Sequence, residues 1–174
     1  MFAYPTLLLI NRTGIGNGTG AAHELDLAEM HSVIDVNVGG PLRIYKALYP
    51  LLLAAPAPRV IGVSSTLGSI AFNLDADQIG PYKAGSYSVS KTALNMLFAR
   101  IHTENHKDHN MTAFVVCPGH TQTDMGNAGA QNFGLEEAPV KLADSIQGLL
   151  KLIDDETGQY AGRFMSYDGA ERQW

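Results

Sequence analysis

The chain of 174 residues holds one cysteine, Cys117, so no internal disulfide can staple it. A lone thiol suits a reducing compartment, and a cytoplasmic location is expected. Positive charge is scarce: 12 Lys and Arg stand against 17 Asp and Glu, for a net charge of −5. That balance gives no basic footprint for nucleic acid. No apolar run is long enough to cross a bilayer. The stretch Leu42 to Ala57 comes nearest, and Arg43, Lys46 and Pro50 interrupt it. Met1-Phe2-Ala3-Tyr4-Pro5 lacks the basic region of a secretory signal. Internal repeats are absent. His102, His106 and His109 have spacings that could hold zinc. They lie among Glu104, Asn105, Lys107 and Asp108, so they read as a solvated helix end, and no metal site is expected.

What is present fits one globular domain. Hydrophobic content of 45% and charged content of 17% are ordinary for a soluble α/β protein, and the length suffices for a sizeable core. Apolar patterning predicts strands near 6–10, 59–64, 111–117 and 162–167, and helices near 21–31, 35–54, 86–105 and 139–154. Each crossover exceeds the dozen residues that parallel pairing needs. The expectation is a parallel sheet with helices on both faces, spanning residues 1–174. Leu94, Leu97, Phe98 and Ile101 form one helical stripe, and Ile44, Tyr45, Leu48, Leu51 and Leu52 a second. Residues 126–134 read as a loop.

Three segments put chemistry at predicted strand or helix ends. Tyr87 and Lys91 stand four residues apart, on one helical face. An ammonium beside a phenol favours phenolate, so the Tyr87 pKa is expected to fall toward the working range. Such a tyrosine can protonate a carbonyl oxygen or deprotonate an alcohol. The pair alone is weak evidence. Ser64 and Ser65 follow the run Val60 to Val63, at the carboxyl end of a strand, where open parallel sheets bind ligands. Pro118-Gly119-His120-Thr121-Gln122-Thr123 follows the run Met111 to Cys117. Cys117 itself reads as an inert core thiol.

Taken in order, these blocks resemble the short-chain dehydrogenase/reductase family. Leu8-Leu9-Ile10-Asn11-Arg12-Thr13-Gly14 resembles the family's Asn-Asn-Ala-Gly block after its fourth strand, with Arg12 and Thr13 as departures. Asp35-Val36-Asn37-Val38 resembles the segment carrying the family's asparagine. Ser65, Tyr87 and Lys91 fall on its catalytic serine, tyrosine and lysine, and Pro118-Gly119 with Thr121 and Thr123 on its nicotinamide-side loop. The tail Gly162-Arg163-Phe164-Met165-Ser166-Tyr167-Asp168-Gly169 resembles a subgroup of sniffer-like carbonyl reductases and norsolorinic acid-type ketoreductases.

The resemblance implies an N-terminally truncated Rossmann-like domain reducing a ketone or aldehyde, or oxidising the alcohol. Asn37, Ser65, Tyr87 and Lys91 would be catalytic. Asn11, Gly14, Tyr87, Lys91, Pro118, Gly119, Thr121 and Thr123 would hold the cofactor. NADP(H) is favoured over NAD(H), the partner is a small carbonyl or alcohol, and a homo-oligomer is expected. The family's first three βα units have no counterpart. Thr13-Gly14-Ile15-Gly16-Asn17-Gly18-Thr19-Gly20 does match its glycine-rich phosphate turn letter for letter. The spacing to Asn37 and Ser65 favours the fourth-strand reading. An alternative is a non-catalytic remnant acting through protein association, because a fourth strand without its neighbour would be an open edge.

Overall fold

The computed structural model describes residues 7–16, 20–79, 84–131 and 134–174. Strand β1 (Leu8–Asn11) leads through a 3₁₀ turn to helix α1 (Leu27–Ile34). A π turn, Asp35–Gly39, runs directly into α2 (Gly40–Ala54). Then come β2 (Arg59–Val63), a 3₁₀ turn at Thr66–Gly68, and the short helices α3 (Ile70–Leu74) and α4 (Ala76–Ile79). Helix α5 (Gly85–His109) precedes β3 (Thr112–Cys117), α6 (Asp124–Gln131), α7 (Leu142–Ile153) and β4 (Phe164–Ser166).

The four strands pair in parallel in the order β1-β2-β3-β4. Register follows side-chain alternation. Leu9 pairs with Val60 and packs on the face covered by Leu52 of α2 and by Leu94, Phe98 and Ile101 of α5. Ile10 pairs with Ile61, on the opposite face, which Leu152 and Ile153 of α7 cover. Both faces therefore carry helices, as the crossover lengths predict. Gly62 allows the close approach of α5, because a Cβ there would lie 2.7–2.9 Å from the Phe98 ring. Leu94, Phe98 and Ile101 of the predicted stripe are spent on this core, and so is Leu52, whereas Ile44 and Leu51 are exposed.

Two features differ from the sequence expectation. The helices expected at 21–31 and 35–54 form one continuous path through the π turn. Pro41 has no N–H for the carbonyl of Asn37 four residues back, and the Gly40 N–H reaches instead to Asp35 O, five back. The expected loop at 126–134 is largely helical, as α6. Gly126 reads as flexible in sequence, yet a Cβ there would collide with the Thr121 carbonyl. The glycine allows the helix to sit down on the preceding loop rather than breaking it. Residues 132 and 133 of that segment lie outside the described residues, as do 17–19 of the glycine-rich turn and Thr6 of the first predicted strand.

Candidate active site

The carboxyl ends of β1, β2 and β3 meet the first turns of α5. Gly85 starts that helix where a Cβ would press on the Leu25 side chain, about 2.9 Å from its Cδ2. This seats Tyr87 beside the Ser65–Gly68 turn. Gly68 has no room for a side chain either: its Cβ would stand 2.9 Å from the backbone carbon of Lys91. The turn after β2 is thus pressed onto the helix at the lysine.

The Tyr87 phenol faces the Ser65 hydroxyl, which acts to favour the phenolate. Ser65 Oγ also accepts the Leu67 N–H at 3.2 Å. The Lys91 ammonium lies 5.5 Å from the centre of the Tyr87 ring and donates to the Val63 carbonyl at 3.0 Å. Lys91 is 3% exposed, and burial lowers its pKa from 10.5 to about 8. Burial pushes the Tyr87 phenol up to about 12, against the lowering effect of Ser65. The spacing of Tyr87 and Lys91 predicts a shift in the other direction. Desolvation is the largest cause, and it favours the protonated phenol.

Asn37 is fully buried and ties the site together. Its amide donates to Ile15 O at 2.9 Å and to Ser90 Oγ at 2.9 Å, and its Oδ1 accepts the Ile15 N–H at 2.8 Å. Ser90 Oγ in turn donates to the Tyr87 carbonyl at 2.7 Å. Ser90 escaped the sequence reading, although its place three residues after Tyr87 puts it on the same helical face. Asn95 escaped it too. Its Oδ1 accepts from Ser64 Oγ and its Nδ2 donates to Gly68 O at 3.1 Å, holding the Ser65 turn to α5.

Gly14 and Gly16 bring the turn after β1 into this centre. A Cβ at Gly14 would lie 3.3 Å from Lys91 Nζ, and one at Gly16 would lie 3.6 Å from the Tyr87 ring. The run beginning at Thr13 therefore faces Tyr87 and Lys91, in keeping with the fourth-strand reading. Asn11 is 5% exposed, and its Oδ1 accepts the Thr13 N–H at 3.2 Å while Nδ2 has no partner among the described residues. The orphaned amide, the bare Gly14 surface and the N–H groups that Lys91 does not use on Val63 fit a ribose and its hydroxyls.

The residues of the expected nicotinamide-side loop are held by contacts within the loop. Gly119 adopts φ of 77°, and its Cα packs where a Cβ would stand 2.7 Å from the Tyr167 ring. The Thr121 hydroxyl is directed to Pro118 O at 2.8 Å, and Thr123 Oγ1 accepts the Gly126 N–H at 3.1 Å. Both hydroxyls shape the loop and the start of α6. Pro118 and Gly119 join the centre through Cys117, whose sulfur accepts N–H bonds from Thr66 at 3.2 Å and Gly119 at 3.4 Å. A cavity of about 270 Å³ lined by Arg59, His106 and Thr157 lies at the opposite end of the sheet, where Arg59 donates to the last carbonyl of α7. No group of three or more metal-ligating side chains occurs among the described residues.

The model of the family described as short chain dehydrogenase matches residues 6–132. The C-signal of Myxococcus xanthus is 34% identical over 170 residues, covering 98% of this chain and 93% of its own length. The norsolorinic acid ketoreductase nor1 of Dothistroma septosporum is 29% identical over 96% of this chain. An NADPH-bound carbonyl reductase from chicken fatty liver superposes with a TM-score of 0.80 at 30% identity over 97% of this chain. The chain spans 62% of that ketoreductase and 66% of that carbonyl reductase. The family match over most of the chain and the parallel sheet agree: this protein belongs to the short chain dehydrogenase family.

Proposed function

We propose that this chain carries the carbonyl-reducing centre of an NADP(H)-dependent oxidoreductase acting on a small ketone or aldehyde, or on the corresponding alcohol in reverse. The observation that carries the reading is the half-buried Tyr87 phenol facing Ser65, with the buried Lys91 ammonium 5.5 Å from its ring. NADPH, when bound, supplies a hydride to the carbonyl carbon. Ser65 holds the carbonyl oxygen. Tyr87 gives its hydroxyl proton to that oxygen as the carbon–oxygen double bond opens. Lys91 steadies the charge left on the phenol and reaches ribose hydroxyls with its remaining N–H groups. Asn37 fixes the turn bearing Ile15 against α5 and, through a bound water, would relay protons to Lys91. Asn11 and Gly14 line the ribose side, and Pro118, Gly119, Thr121 and Thr123 frame the nicotinamide. NAD(H) is the second cofactor candidate. The kinship of chains that bind NADPH supports the phosphorylated form.

The test is Tyr87→Phe, followed as NADPH consumption with a ketone. General acid catalysis is worth about 10²–10⁴-fold, so turnover should fall by that range while NADPH binding persists. Undiminished turnover would remove Tyr87 from the mechanism.

A second reading, association through the sheet, is favoured by β1. Ile10 is 41% exposed while its paired neighbour Ile61 is fully buried. A homo-oligomer is expected separately, through α5 and α2 packed against their copies, and light scattering on the purified protein tests it.

A further inference from the structure

We propose that Cys117 is a positioning residue whose sulfur clasps the turn carrying Ser65 to the turn carrying Gly119. The inference rests on the reductase reading above. Cys117 ends β3 and is 2% exposed, with its backbone held by the Tyr167 N–H at 2.9 Å. From that fixed point the sulfur accepts from two backbone N–H groups. One belongs to Thr66, 51 residues away in sequence, and the other to Gly119, two residues on. The Thr66 hydroxyl also lies 3.2 Å from the sulfur.

Each of those part-buried amides is satisfied by the sulfur, and an N–H left unpaired away from water is costly. One atom satisfies both, so neither turn can shift without the other. The Thr66 turn carries Ser65, next to the carbonyl oxygen in the proposed mechanism. The Gly119 turn frames the nicotinamide and is pressed against Tyr167 and Val140, where a Cβ would stand 2.7 and 3.1 Å away. Their separation fixes the distance between the carbonyl anchor and the hydride donor, a distance on which rate depends steeply. A sulfur suits the task because its long bond to carbon and large radius allow contacts of 3.2–3.4 Å on both sides.

Cys117→Ala removes the acceptor, and Cys117→Ser keeps one with a shorter reach. Amide hydrogen exchange at Thr66 and Gly119 reads the clasp without any turnover. Ketone reduction with NADPH reads its effect on chemistry. In Cys117→Ala, exchange at both amides should quicken about tenfold, the loss expected for a hydrogen bond of ordinary strength. There kcat should fall about tenfold with KM for the ketone little changed, and serine should recover most of both. Unchanged exchange at either amide would overturn the proposal. So would serine exchanging as fast as alanine, or faster exchange with kcat intact, which would make the clasp merely structural. Failure of the native chain to reduce any ketone would count against the reductase reading, while the exchange comparison would still decide the clasp.

Discussion

Replacing Lys91 with methionine should make the free protein harder to unfold at neutral pH while removing carbonyl reduction. The side chain is buried, and desolvation lowers its pKa from 10.5 to about 8. At about 1.4 kcal/mol per pH unit, that fall makes the ionised lysine cost the fold about 3 kcal/mol relative to the unfolded chain. Methionine fills nearly the same volume without the charge. It leaves the Val63 carbonyl without its donor, which costs about 1–3 kcal/mol. The net gain at pH 7 is therefore about 1 kcal/mol, and the pH dependence is the cleaner reading.

The folded pKa lies below the unfolded one, so the unfolded chain binds more protons between them, and stability rises with pH in that window. The contribution of neutral Lys91 is full above about 10.5 and is lost as pH falls through about 8. Tyr45 and Tyr87, both raised to about 12 by burial, act oppositely above pH 10. Their neutral forms contribute stability below 10 that is lost as pH rises through the folded value. Between pH 8 and 10 the native protein should gain about 2 kcal/mol from Lys91 that the methionine variant lacks. Urea unfolding at pH 7, 8, 9 and 10 measures the difference as a change in midpoint of about 1 M at ordinary slopes. Other titrating groups cancel between the two proteins. Midpoints that run parallel across this range would refute the claim that Lys91 is held at a depressed pKa by burial.

Gly62→Ala places a methyl 2.7–2.9 Å from the Phe98 ring and should cost about 1–3 kcal/mol of overpacking. Adding Phe98→Leu should recover part of that loss, and thermal melts of the two single variants and the double variant check it. His102 has its pKa lowered by burial first and by the neighbouring His106 second. Its stability contribution is full above the unfolded value of about 6.5 and is lost as pH falls through the lower folded value. A drop in melting temperature from pH 7.5 to pH 5.5 should therefore be larger in the native protein than in His102→Gln.

Local regularities in the chain were enough to place the four strands, the long helix bearing Tyr87 and Lys91, and the order of the blocks. Strand runs such as Val60 to Val63 and Phe114 to Cys117 declare themselves because both sheet faces are buried, so nearly every residue in them is apolar. The Tyr87–Lys91 spacing is legible because a helix repeats every 3.6 residues. Tertiary structure decided the rest. That Asn37 bonds across to Ile15 and Ser90, 22 and 53 residues distant, has no local signature. Gly126 reads as part of a loop until the Thr121 carbonyl shows that it is a contact position. Cys117 reads as core by its apolar strand and is core, yet its sulfur also joins two turns that only the fold brings together. The sign of the Tyr87 shift has no local signature for the same reason. Spacing reveals a charged neighbour but not the burial that desolvates both groups, and burial is the largest cause of the shift at each.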